Sequence, residues 1–227
     1  MKQTLKVAFV ATLPVLSGYL VLGFGFGIVL KAAGFGVPVA FMMSLLIYAG
    51  SMQYVAVGLL SGGASLLTAA LTTLMVNARH LFYGISMIGK YKDVGRVKPY
   101  LIFSLTDETY SLVCGELPVS GERETRRYVT FVSLFNHAYW VLGSVAGAVV
   151  GALVSFQSEG VEFALTALFL TVFLEQWLSG KGHVAALVGL GASVLMLLIF
   201  GSEHFLIPAM LLIALVLCFC KEDKKNG

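Results

Sequence analysis

Residues 7–30 form an apolar run that contains no Asp, Glu, Lys or Arg. A helix needs about 20 mostly apolar residues to cross a hydrocarbon core of roughly 30 Å, so this run alone is long enough to span a bilayer. It outlasts the apolar region of a secretory signal and is expected to stay in place as the first span. Similar runs recur. Of the 27 charged residues, 18 fall in four short clusters, at residues 1–6, 89–98, 116–127 and 221–225. Between them the sequence predicts spanning helices at residues 7–30, 38–60, 64–88, 128–154, 161–178, 184–200 and 204–220, with a shorter, more polar segment at 99–117. With 227 residues that are 58% hydrophobic and 12% charged, the chain carries more apolar side chain than a water-soluble core of its size can hide. The expectation is an all-α polytopic membrane protein, one membrane domain over residues 1–227, with about seven transmembrane helices and eight as the alternative.

Several function classes drop out. The net charge is only +3, and the basic clusters flank apolar runs, which suits insertion beside anionic headgroups and gives no nucleic-acid surface. Cys114, Cys218 and Cys220 lie in or beside apolar segments and read as small buried hydrophobes, with neither a disulfide framework nor a zinc site. The sequence has no HExxH, GxSxG, Walker GxxxxGK[ST] or CxxC motif, so no enzyme, metal or cofactor is expected, and ATP-driven pumping by this chain is excluded.

An internal repeat appears at an offset of 124: Val21, Gly23, Gly27, Gly36, Val37 and Ala40 match Val145, Gly147, Gly151, Gly160, Val161 and Ala164. The first repeat is read over residues 7–90, the second over 128–200, and residues 204–220 form a terminal helix. Duplicated halves are characteristic of secondary transporters, whose sites form where the repeats meet. With eight spans and both termini inside, the excess of Lys and Arg is nine inside against five outside. If residues 99–117 are re-entrant, seven spans with the N-terminus outside give twelve against two and make the halves inverted. That second arrangement is the expected one.

Polar residues inside the apolar runs are the candidates for chemistry. The glycine stripe Gly23, Gly25 and Gly27, with Gly143, Gly147 and Gly151, allows close helix packing and equally allows unwinding that frees backbone groups for a solute; Pro14 adds to the case for a broken first helix. Asn77, Arg79 and His80 share one apolar stretch, where a guanidinium needs either headgroups or an anionic partner. Asp107 and Glu108 point about 100° apart on a helix, so one of them is expected to meet Arg79, as a fixed ion pair or as a proton-coupling acid. Gln53 and Trp140, with Tyr54, Asn136 and His137, add polar groups facing a cavity, although Tyr139 and Trp140 also suit interfacial anchors. A passive channel would need a continuous polar lining, and these residues cluster instead; a membrane scaffold would need no buried charge.

These residues carry a family resemblance. Tyr48-Ala49-Gly50-Ser51-Met52-Gln53, Asn77-Ala78-Arg79-His80, Thr106-Asp107-Glu108 and the stretch from Gly160 to Phe169, in this order and spacing, resemble the AzlC-type branched-chain amino acid permease family over nearly the whole chain. Glu162 stands where the family often has Asp. The resemblance implies the large subunit of a two-component bacterial exporter of leucine, isoleucine, valine and sometimes methionine in the cytoplasmic membrane. Its implied partner is a small AzlD-type membrane subunit of about four spans. The substrate-binding residues expected on this reading are Gly23, Gly25, Gly27, Gln53, Asn77, Trp140, Gly147 and Gly151, with charge or proton coupling at Arg79, His80, Asp107 and Glu108.

Overall fold

The computed structural model describes residues 2–153, 170, 174, 177–178 and 183–219, and every regular element among them is helical. The chain divides into two units, Met1–Leu168 and Phe169–Gly227. Two long helices organise the first unit. Helix α1 (Lys2–Ala32) has 31 residues and α8 (Glu122–Leu153) has 32, each about 46 Å or more at 1.5 Å per residue and so longer than a bilayer core. They lie side by side and parallel: Thr4 bonds Glu124 near their starts, Phe9 meets Phe135, Tyr19 meets Trp140, and Gly151 meets Ile28 and Lys31 near their ends. Glycine makes the approach close. A Cβ on Gly27 would run into the backbone of Ser144 and Ala148, and one on Gly147 into the backbone of Phe24.

Between α1 and α8 come three pairs of short helices. The first pair, α2 (Val37–Leu46) and α3 (Gly50–Ser61), breaks at residues 47–49, where Tyr48 takes φ 46°. Helix α2 begins just past the C-terminal end of α1, with Pro38 in its first turn, and reaches His137 of α8 through Ser44. Helix α3 then turns back: Gly50 sits against the Trp140 ring, and Tyr54 lies further along α1, bonding the Leu22 carbonyl and packing on Phe26. The second pair, α4 (Leu66–Val76) and α5 (Arg79–Met87), is capped at its start by Ser65 and broken at Asn77 and Ala78. It ends at Met87, which shares a core cluster with Ala8 and Tyr128 from the first turns of α1 and α8.

After a 3₁₀ turn at Gly95–Val97, the third pair is α6 (Lys98–Phe103) and α7 (Asp107–Val113), broken at residues 104–106 with Thr106 as the N-cap of α7. This pair also folds back. Lys90, in the loop before α6, donates to the carbonyls of Val113, Cys114 and Gly115 at the far end of α7. Two hairpins therefore enter from opposite ends of the α1–α8 pair, and their tips meet beside Tyr19 and His137. The loop before α6 touches α8 where Gly95 approaches Arg126. Lys2, Lys6, Lys90, Lys92, Arg96, Lys98, Arg123, Arg126 and Arg127 thus gather at the N-terminal end of the pair, with Lys31 at the other.

Several expectations are corrected here. Residues 38–60 were expected to span and instead form a returning hairpin, and residues 99–117, expected to be re-entrant, fold back on themselves as α6 and α7. Because 38–60 turns back, α1 and α8 run parallel, so the halves they begin are not inverted. The packing register pairs Gly23 with Gly143, one helical turn away from the 124-residue register of the repeat. Helix α1 continues through Pro14 and through Gly23–Gly27, and α8 through Gly143–Gly151. Cys114 is exposed, contrary to its reading as a buried hydrophobe.

In the second unit, α9 (Val184–His204) is interrupted at Gly201, whose φ of 72° and ψ of 174° only glycine adopts readily, and α10 (Leu206–Phe219) packs back on it. The expected span at 161–178 and the stretch from Gly160 to Phe169 lie outside the described residues, apart from isolated positions.

Fully buried polar groups occur together with widely exposed large aliphatic ones. Ser44, Gln53, Thr109 and Asn136 are 0% exposed, whereas Leu66 is 90% and Leu198 79% exposed. Polar groups inside and large aliphatic groups outside are stable when the surrounding solvent is hydrocarbon.

Candidate functional site

The tips of the two hairpins build a polar centre against α1 and α8. Tyr19 of α1 donates to Glu108 Oε2 at 2.6 Å and meets Thr106 Oγ1 at 2.7 Å, which holds the second tip. Thr106 Oγ1 lies 3.1 Å from Thr109 Oγ1, and Asn136 of α8 donates through Nδ2 to that same Thr109 oxygen at 3.0 Å. Asn136 Oδ1 and Ser133 Oγ, one turn apart on α8, are buried without a hydrogen-bond partner among the described residues. Buried acceptors of this kind are costly unless something meets them.

The first tip is held by His137 and Trp140. The His137 ring stacks on Tyr48 at 4.2 Å, Nε2 faces the Ser44 carbonyl at 3.2 Å, and Nδ1 faces the Tyr100 hydroxyl at 3.1 Å. A carbonyl can only accept, so Nε2 carries the proton and Nδ1 accepts from Tyr100. His137 thereby joins α2 to α6, one arm of each hairpin. Trp140 Nε1 donates to Gln53 Oε1 at 2.9 Å, and Gln53 Nε2 donates to Ser44 Oγ at 3.3 Å. Each tip thus rests on two side chains of the continuous helices, His137 and Trp140 for the first, Tyr19 and Asn136 for the second.

A second feature lies between α5 and α6. A cavity of about 220 Å³ is lined by His80, Gly84, Met87, Ile88 and Tyr91 on one side and by Lys98, Ile102 and Leu105 on the other. Both sets have helical i, i+4, i+7 spacing, so each presents one stripe. Lys98 and Tyr91 stand at its loop end, and His80 and Leu105 at its deep end, where Leu105 belongs to the second hairpin tip. His80 Nδ1 lies 3.2 Å from the Asn77 carbonyl, which places the proton on Nδ1.

Of the residues singled out in the sequence, the structure brings Gln53, Trp140 and Glu108 into the polar centre. Gln53 and Trp140 satisfy each other, and Tyr139 and Trp140 are buried inside the unit, not anchored at an interface. Asp107 is half-buried beside Glu108 in the first turn of α7. Asn77 caps α4, and His80 lines the cavity. Arg79 opens α5, and its side chain lies outside the described residues. Gly23, Gly27, Gly147 and Gly151 face the opposite long helix, where no room for a solute remains, and Gly25 is half-buried. Tyr19, Tyr48, Tyr91, Lys98 and Tyr100 were missed. Phenols in apolar helices look like packing aromatics, and Lys98 looks like one more loop cation. Among the described residues no group of His, Cys, Asp or Glu could hold a metal ion.

An all-helical chain with apolar side chains outside and a polar centre where two helix breaks meet belongs to the class of integral membrane proteins. Residues 14–154 match the family described as AzlC protein, and the chain belongs to that family. A protein of Bacillus subtilis named "Branched-chain amino acid transport protein AzlC" is 46% identical over 98% of this chain and 87% of its own length. An "Uncharacterized membrane protein" of Haemophilus influenzae is 44% identical over 95% of the chain and 88% of its own length, and the "Inner membrane protein YgaZ" of Escherichia coli 30% identical over 92% and 85%. No solved structure matches the chain.

Proposed function

We propose that this chain is the large subunit of a two-component secondary exporter of branched-chain amino acids, working with a small AzlD-type subunit in the bacterial cytoplasmic membrane. The observation that carries the reading is the 46% identity, over nearly the full chain, to a protein named for branched-chain amino acid transport. The polar centre supports it. A zwitterion crossing hydrocarbon needs fixed partners at mid-depth, and helix breaks there supply them. Glu108, the unmet Asn136 Oδ1 and the carbonyls freed at the two tips suit the ammonium, while Phe, Met and Leu side chains take the aliphatic group. Arg79 and Asp107 supply the further charges of the site.

The chain crosses the membrane several times, with the N-terminal ends of α1 and α8 in the cytoplasm, because among the described residues of the first unit nine Lys and Arg gather there against one at the other end. Alternating access comes from the hairpins moving against the fixed α1–α8 pair, driven by the proton gradient or by the solute's own gradient.

The test is leucine counterflow in liposomes containing this chain with and without the neighbouring small membrane subunit. Exchange of leucine by the paired preparation is expected, and it falls sharply in Asp107→Ala, Arg79→Ala and Glu108→Gln variants that still insert. Absence of leucine exchange from both wild-type preparations would sink the reading.

A further inference from the structure

The cavity between α5 and α6 has the chemistry of a binding pocket, not of a packing defect. Its walls are aliphatic, from Met87, Ile88, Ile102 and Leu105, and its loop end carries one cation, Lys98, which makes no ion pair or hydrogen bond among the described residues. Tyr91, 2% exposed, lines the same cavity, and its hydroxyl is buried with no hydrogen-bond partner among the described residues. An ammonium without a counter-ion at the end of an otherwise aliphatic cavity marks the place of an anionic group. Among the described lining residues there is no carboxylate, so the cation is uncompensated and the pocket selects an anion. The volume of about 220 Å³ lies below the roughly 300–1,000 Å³ usual for drug-sized ligands and suits a molecule with a handful of carbons.

We infer that this cavity is a solute pocket on the Lys- and Arg-rich side of the protein, taking a small aliphatic amino acid with its carboxylate on Lys98 and its branched side chain among Met87, Ile102 and Leu105. Leu105 closes the deep end and is part of the second hairpin tip, so movement of that tip opens the pocket toward the polar centre. The assignment rests on the transport reading above for the identity of the solute and on the cavity alone for its chemistry.

Equilibrium binding to the full chain in lipid nanodiscs separates the two. The probes are L-leucine, 4-methylpentanoate, which lacks the ammonium, and 3-methylbutylamine, which lacks the carboxylate. Lys98→Met keeps the aliphatic stem and should weaken leucine and 4-methylpentanoate at least about tenfold while leaving 3-methylbutylamine unchanged, and Lys98→Arg should restore most of the loss. Leu105→Trp, which fills the deep end, should weaken all three. Leucine binding by Lys98→Met at wild-type strength overturns the pocket and leaves the transport reading standing. Failure of the wild-type chain to bind either carboxylate also overturns it. So does native mass spectrometry that finds a phospholipid lost on Lys98→Met, since the cavity then holds a lipid. Carboxylate binding that depends on Lys98, without leucine counterflow in liposomes, supports the pocket and removes the transport reading instead.

Discussion

Trp140 Nε1 donates to Gln53 Oε1 at 2.9 Å inside the polar centre, and this bond ties the continuous helix α8 to the returning arm of the first hairpin. Both side chains are buried, so removing one strands the other. Gln53→Leu keeps the approximate shape and leaves the indole N–H and the Ser44 hydroxyl without their partner, at an expected cost of about 1–3 kcal/mol. Trp140→Phe added to Gln53→Leu should cost less than the two single changes together, because the stranded donor is gone. Denaturant unfolding of the purified chain in mild detergent reads both values, and strict additivity would show that the bond contributes nothing.

The glycines of the long helices differ in what an added methyl meets. On Gly147 it would strike the Phe24 backbone, and on Gly27 the backbone of Ser144 and Ala148, whereas nothing lies within 4 Å of Gly18. Backbone cannot rotate aside as a side chain can. Gly147→Ala and Gly27→Ala should therefore destabilise by at least about 1–3 kcal/mol, while Gly18→Ala in the same helix should be neutral or stabilising by roughly 0.5–1 kcal/mol. Equal effects at Gly18 and Gly147 in the same unfolding assay would mean that α1 and α8 do not pack as described.

The sequence made the apolar runs and the re-entrant segment at 99–117 legible for one reason: hydropathy records where a chain prefers lipid, and α6 and α7 are short and interrupted by polar residues. Hydropathy does not record direction. Residues 37–46 and 50–61 are uncharged and mostly apolar, so the reversal at Tyr48, a residue with no turn preference, passed for the middle of a single span. The same blindness hid the parallel packing of α1 and α8, since matching glycines at an offset of 124 fit either orientation. Of the site, Glu108, Gln53 and Trp140 stood out as polar groups in apolar surroundings. Tyr19, Tyr48 and Tyr100 did not, because only their position at a hairpin tip separates them from ordinary core aromatics.

Glu124 lies in the charged first turn of α8, outside the apolar stretch, and its carboxyl is held below the ordinary glutamate range first by the Thr4 hydroxyl and then by Arg127. A lowered folded-state value means a contribution to stability that is present above the ordinary glutamate value and is lost as pH falls through the lowered one. The midpoint of thermal unfolding should therefore be higher for the wild type than for Glu124→Gln near about pH 6, with the gap closing toward about pH 3. The exposed position keeps the effect small. A gap that widens on acidification would contradict the sign.

Because Thr4 touches Glu124, and the second hairpin returns to Lys90, the N-terminus and the loop before α8 lie at the same end of the α1–α8 pair, which on the proposed function is one side of the membrane. Gly63, after the first hairpin, must lie on the other, since α3 runs back toward the C-terminal end of α1. An inverted seven-span arrangement places the N-terminus and that loop on opposite sides, so the two topologies differ in a single observable. With the three native cysteines replaced, single cysteines at Gln3 and Ser120 should be blocked by a membrane-impermeant maleimide only from the cytoplasmic side, and one at Gly63 only from outside. Intact cells and inverted vesicles give the two accessibilities separately. Labelling of Gln3→Cys and Ser120→Cys from opposite sides would break the parallel pairing of α1 with α8, and with it the frame against which the hairpins move.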